Sequence, residues 1–173
     1  MQQLYCRIAT VDDVELLASI SRKTFYDTYN EFNTKEDMDL YMAQYFNLQI
    51  LVDEINNPSN IFVFVYDGDE LSGYVKLSDS HVPDKLQGFT ALEISRIYSV
   101  KEKIGKGVGK KLLNESIAIA KQKNKQLVWL IVWKKNTRAI AFYQKNGFEI
   151  FDEQDFILGT DVQHDWKMKK NLF

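Results

Sequence analysis

The chain runs to 173 residues, 45% of them hydrophobic and 27% charged, with a net charge of −2. That length and balance fit one globular domain over residues 1–173 and exclude a disordered chain, while the single cysteine, Cys6, excludes an internal disulfide. The longest apolar run, Leu127 to Trp133, is far too short to span a bilayer, and Met1-Gln2-Gln3-Leu4 does not begin a secretion signal; a cytoplasmic location, with no membrane partner, is therefore expected. Mild acidity speaks against nucleic acid as a partner, and Cys6, His81 and His164 lack the spacing of metal ligands.

Leu4 to Ala9 has strand character and ends at Thr10, an N-cap for a helix whose inward positions are Val14, Leu17, Ala18, Ser21 and Phe25, reaching roughly Tyr29. A second helix is expected to open at Thr34, three residues before Asp37, to bury Met38, Tyr41, Met42, Tyr45 and Phe46, and to run on to Pro58-Ser59-Asn60. Between them Asp27, Glu31, Glu36, Asp37 and Asp39 stand against Lys35, a local charge of −4. A solvated helix end and an acidic lip for a polycation both fit that run. Ile61 to Tyr66 and Leu71 to Ser78 read as a hairpin about Asp67-Gly68-Asp69-Glu70. Leu92 to Val100 is the next strand. Strict alternation puts Leu92, Ile94, Arg96, Tyr98 and Val100 on one face and Glu93, Ser95, Ile97 and Ser99 on the other, leaving Glu93 among small and apolar neighbours.

Gly105-Lys106-Gly107-Val108-Gly109 then opens a helix over 107–123, with no side chain at 105, 107 or 109 to screen the backbone amides. Free amides at a helix start, backed by the helix dipole, suit phosphate oxygens. Eight lysines between 101 and 125 oppose only Glu102 and Glu115, a local charge of +6 that fits a multiply charged phosphate ligand. A nucleotide P-loop would need glycine at Ile104 and Ser or Thr at Lys111, and a dinucleotide loop would need glycine at Lys110 or Leu112, so both fail. A lysine-rich solvated helix after an ordinary turn is the plain alternative. Leu127 to Trp133 has no polar alternation and reads as a parallel strand buried on both faces, with the preceding helix as its crossover. Asn136 caps a short helix that packs Ala139, Ile140, Phe142 and Tyr143 inward and stops at Gly147. Two last strands, about 148–156 and 162–168, complete an α/β domain with a mixed sheet.

Ile104-Gly105-Lys106-Gly107-Val108-Gly109 resembles the Q/R-x-x-G-x-G/A pyrophosphate loop of the GNAT superfamily of acyl-CoA-dependent N-acyltransferases at every position but the first. Asn136, Ala139, Tyr143, Gly147 and Phe148 match its later pattern, N-x-x-A-x-x-x-Y-x-x-x-G-F. Ile104 removes a polar side chain from the loop but none of its backbone donors. The resemblance implies a mixed, mostly antiparallel sheet with a central splayed parallel strand pair, flanked by about four helices. It also implies that acetyl-CoA is the acyl donor, with no metal. Ile97, Tyr98 and Ser99 would offer main chain to the thioester arm, and Gly105, Lys106, Gly107, Val108, Gly109 and Lys110 would hold the pyrophosphate. Asn136 would contact the arm from the other side. Lys145 would meet an adenosine phosphate or is simply a surface lysine.

Acyl transfer to an amine must remove a proton from an ammonium with a pKa near 10.4 and benefits from protonating a thiolate with a pKa near 8.5. The resemblance places the proton donor at Tyr143, whose alternative is a core aromatic. Glu93 is the candidate base, or else a structural carboxylate; some relatives keep a glutamate at the place of Ile131, which this chain lacks. The stretches FYDTYNEFNTKEDMDLYM, VWKKNTRAIAFYQKNGFE and GTDVQHDWKMKK are similar to those of the bacterial PaiA-type polyamine N-acetyltransferases, which implies spermidine or spermine as acceptor. A peptide or protein N-acetyltransferase and a non-catalytic acyl-CoA-binding regulator stay open, as does a homodimer.

Overall fold

Seven apolar residues in a row leave no face for solvent, and Leu127–Trp133 is accordingly a central strand covered on both sides, only Ile131 being half-exposed. The computed structural model describes residues 3–159 and 161–173; Met1 and Gln2, and Thr160 within the ending quoted above, lie outside the described residues. The strands are β1 (Leu4–Ile8), β2 (Asn60–Asp67), β3 (Glu70–Ser78), β4 (Ala91–Ser99), β5 (Leu127–Trp133), β6 (Glu149–Leu158) and β7 (Asp161–Asn171). They form one sheet in the order β1-β2-β3-β4-β5-β7-β6, antiparallel at every junction except β4 with β5. The expected mixed sheet with its central parallel pair is thus the fold.

Two helices, α4 (Val108–Gln122) and α5 (Thr137–Lys145), cover one face over a core that includes Val65, Leu77, Ile94, Leu112, Leu130 and Met168. On the other face α1 (Val14–Tyr29), α2 (Lys35–Tyr45) and α3 (Leu48–Asn56) pack over Phe62, Phe64 and Tyr74. The expected single helix from Thr34 to Pro58 is therefore two. Asn47 divides it, donating from Nδ2 to the Ala43 carbonyl at 2.9 Å and accepting the Ile50 N–H at 2.9 Å, so one side chain closes α2 and caps α3. The break buries Phe46 and turns Tyr45 outward, 39% exposed, off the expected stripe.

The face assignment along β4 also changes. Lys76 pairs with Arg96 but Leu77 pairs with Ile94, so Ser95 is an extra residue, a β-bulge that reverses the alternation. Ile97 consequently joins Leu92 and Ile94 on the α4 side. Glu93, opposite Ser78, shares the α1–α3 face with Lys76 and Arg96 rather than with Ile97.

Candidate active site

The bulge sits where the parallel pair comes apart. β4 and β5 pair from Ala91–Leu127 to Ile94–Leu130 and no further. Past that point β4 stays with β3 as far as Ser99 opposite Gly73, and β5 stays with β7 as far as Trp133 opposite Asp165. Main chain of 96–99 and of 131–133 therefore faces a gap, and a cavity of about 480 Å³ opens there. Of the residues expected to hold the donor, Ile97, Tyr98, Ser99, Gly105, Gly107 and Gly109 line it. Lys110, Asn136 and Tyr143 line it as well, and so does Ile104. Lys106, Val108 and Lys145 do not; Val108 is buried beneath the loop, and the two lysines are exposed.

The loop has the backbone its glycines allow. Gly107 caps α4 at φ +89°, a left-handed conformation that costs an L-residue strain, and its cap has no side-chain hydrogen bond. The helix ladder starts with Lys111 N–H to the Gly107 carbonyl at 2.9 Å, so the amides of Val108, Gly109 and Lys110 stand ahead of it at the positive end of the dipole. Gly73 brings this end of α4 onto the sheet: a Cβ there would lie 2.5 Å from the Tyr98 carbonyl oxygen and 3.0 Å from Val108 Cγ1. Asn136 caps α5 by accepting the Ala139 N–H at 3.1 Å, and Lys110 Nζ reaches Asn146 Oδ1.

Tyr143 is 7% exposed, packed between Phe142 and Phe148. Burial, and to a lesser degree the neighbouring Tyr29 phenol, push its hydroxyl above the ordinary value, so it keeps its proton throughout the neutral range. Glu93 is half-buried and stands one residue outside the cavity wall, beside Ile94, so the fold does not bring it into the cavity with Tyr143. Burial raises its carboxyl above the usual range, against the pull of a Ser95 hydrogen bond, Lys76, His81 and Arg96. Arg96 lines the cavity but is spoken for: its guanidinium grips Glu54 of α3 at 2.6 and 2.9 Å, and Lys76 Nζ joins the same carboxylate at 2.7 Å. This clamp ties α3 to the strand just past the bulge.

Several residues of the wall escaped the sequence reading. Thr28 and Tyr29 of α1, Trp133 of β5, and Arg138 and Phe142 of α5 all line the cavity. The Tyr29 and Trp133 rings meet at 5.9 Å and Phe32 meets Trp133 edge-on at 5.0 Å, giving the α1 side an aromatic wall. The acidic stretch beside it is partly neutralised, since Lys23 pairs with Asp27 at 3.1 Å and Lys35 with Asp39 at 2.5 Å. Among the described residues no group of metal-ligating side chains occurs, and no helix is long and apolar enough to cross a membrane.

Residues 22–148 match the Acetyltransferase (GNAT) family. An uncharacterized N-acetyltransferase of Lactobacillus delbrueckii subsp. lactis is 35% identical over 160 residues, 92% of this chain and 92% of its own. The spermidine N(1)-acetyltransferase of Thermoplasma acidophilum is 28% identical over 158 residues, 88% of this chain and 93% of its own. The crystal structure of the PaiA N-acetyltransferase from Thermoplasma acidophilum in complex with coenzyme A superposes with a TM-score of 0.78 at 24% identity, over 98% of this chain and 99% of that one. With the splayed strands and the open-amide loop in place, the match over 22–148 is decisive: the chain belongs to the GNAT acetyltransferase family and is an acetyl-CoA-dependent N-acetyltransferase.

Proposed function

We propose that the acceptor is a polyamine such as spermidine or spermine, acetylated by direct attack with Tyr143 as general acid and Glu93 as general base. The observation that carries this reading is a cavity that crosses the sheet, with cationic loop and open main chain toward α4 and aromatic rings toward α1, Tyr143 lying between. The similarity to a spermidine N(1)-acetyltransferase across most of both chains supports the acceptor class.

Bound acetyl-CoA supplies an acetyl group already activated as a thioester. Main chain of Ile97, Tyr98 and Ser99 aligns the arm, the amides from Gly105 to Lys110 with the Lys106 and Lys110 charges hold the pyrophosphate, Asn136 flanks the arm, and Lys145 answers an adenosine phosphate. Glu93 takes the ammonium proton through water, because it stands behind the wall; its raised basicity suits that task. As the C–N bond forms and the C–S bond breaks, the Tyr143 hydroxyl gives its proton to sulfur and is reprotonated from solvent. A phenol held above pKa 10 does not ionise beforehand, so its contribution is made where thiolate charge develops.

Acetylation assays with labelled acetyl-CoA, offering spermidine and spermine beside peptides with free N-termini, test the acceptor. Polyamine turnover is expected; turnover of peptides alone overturns the reading. For Glu93→Gln the acid limb of the kcat/KM profile is expected to move, and a superimposable profile makes Glu93 structural.

A further inference from the structure

Among the described residues, two buried oxygens on β7 have no donor. Asp165 is 6% exposed and its Oδ1 meets no hydrogen-bond partner among them; Gln163, 4% exposed and two residues earlier on the same face, leaves Oε1 equally alone. Gln163 spends its Nε2 on Asn33 Oδ1 at 2.8 Å and Asp161 Oδ2 at 3.1 Å, fixing the turn after α1 above them. Unsatisfied acceptors at such burial are costly and rarely left without purpose. The cations nearby are engaged elsewhere: Lys134 lies over the Trp166 ring at 3.8 Å and pairs with Glu153, and His164 pairs with Asp155 at 2.7 Å. Among the described residues, Asp165 has no ion pair.

Neither Asp165 nor Gln163 lines the cavity, but Asp165 stands behind its α1-side wall. Asp165 is the cross-strand partner of Trp133, so the two side chains share the α1 face, and its charge is felt by the Tyr29 phenol. Trp133 and Tyr29 both line the cavity, and Phe32 closes on Trp133 from the turn. Aromatic faces with a carboxylate and an amide oxygen behind them, neither oxygen hydrogen-bonded among the described residues, are the chemistry of an alkylammonium site.

We propose that Asp165, with Gln163 and the Trp133–Tyr29–Phe32 rings, holds a second ammonium of the acceptor while the first is presented to the thioester. Asp165 is then a specificity-determining residue that favours di- and polyamines over monoamines, a role that rests on the amine-acceptor reading above.

The test compares butylamine, 1,4-diaminobutane and spermidine as acceptors for the wild-type protein and for Asp165→Asn, with coenzyme A titrations alongside. Wild-type KM is expected to be about tenfold or more lower for the diamine and spermidine than for butylamine, the scale of one charge-assisted contact. In Asp165→Asn that difference is expected to collapse, with kcat and coenzyme A affinity retained. Equal KM for mono- and diamine in the wild-type protein overturns the inference while leaving amine acetylation intact, and needs no variant to fold. A preference that survives in Asp165→Asn overturns it likewise. Acetylation confined to peptide N-termini overturns the acceptor reading and this inference together.

Discussion

The two sides of the β4–β5 gap are built by different means. Toward α4 the wall is main chain and a glycine loop within one run of sequence, 97–110. Toward α1 it is side chains drawn from far apart, Thr28, Tyr29, Trp133 and Arg138, with Phe32 packed on Trp133 and Asp165 across the strand from it, behind the wall. Recognition by backbone survives most substitutions, because the donors remain whatever the side chain; recognition by side chains is rewritten by a single change. One side can therefore stay fixed for a common acyl donor while the other diverges with the acceptor.

Tyr143 lies at the border between the sides, and removing its hydroxyl is the most severe way to test the division. Tyr143→Phe keeps the ring packed against Phe142 and Phe148 while deleting the proton. Turnover is expected to fall about 100-fold, with coenzyme A affinity nearly intact, since the donor is gripped elsewhere. Steady-state rates and a coenzyme A titration check it; an unchanged rate removes Tyr143 from the mechanism.

The side-chain half, through Asp165 behind its wall, has a stability signature that the backbone wall lacks. Burial raises the Asp165 carboxyl to about 6, from an ordinary value of 3.8. The folded chain thus binds this proton more tightly than the unfolded one. The contribution to stability is fully present below about pH 4 and is lost as pH rises through about 6, on the order of 2–3 kcal/mol. Asp165→Asn cannot lose it. Thermal unfolding of the two proteins between pH 4 and 7 is expected to show the variant gaining on the wild type as pH rises, and parallel curves would mean that the carboxyl is not held in an apolar setting. A residue kept at a cost to stability is one kept for binding.

On the opposite wall, Gly73→Ala tests whether close backbone approach sets the loop. The added methyl meets the Tyr98 carbonyl, so β3, β4 or the start of α4 must shift. A loss of about 1–3 kcal/mol in stability is expected, with weaker coenzyme A binding and an unchanged ranking of amine acceptors. Calorimetry and titration read both; a wild-type unfolding temperature would show that the approach is not limiting.

The same division explains what the sequence disclosed. Strand and helix bounds around 91–147, the parallel pair and the glycine loop were legible because each rests on contiguous residues with a local rule: an apolar run, alternating glycines, a capping asparagine. The bulge at Ser95 was not, because a single inserted residue leaves no mark on composition, yet it moved Glu93 to the face of Lys76 and Arg96. Nor was the break at Asn47 read, although an asparagine after Phe46 was the available signal. Tyr29 and Asp165 lay within stretches noted for their similarity to polyamine acetyltransferases, but their proximity follows from the register of β5 with β7 and the placement of α1, which no local pattern carries.

The smallest expected effect concerns the one loop position that departs from the family pattern. Ile104 is 38% exposed and lines the cavity beside Gly105, so an arginine fits there without displacing core. Because the loop amides already precede the first helix bond and lysines already surround them, an added guanidinium acts as one more partly solvated charge, about 0.3–1 kcal/mol. Ile104→Arg is therefore expected to tighten coenzyme A binding about two- to fivefold at low salt, less at high salt, with no change in acceptor preference. A gain of several hundredfold would mean that side chains, not the main chain, govern this wall, and the contrast between the two sides would have to be redrawn.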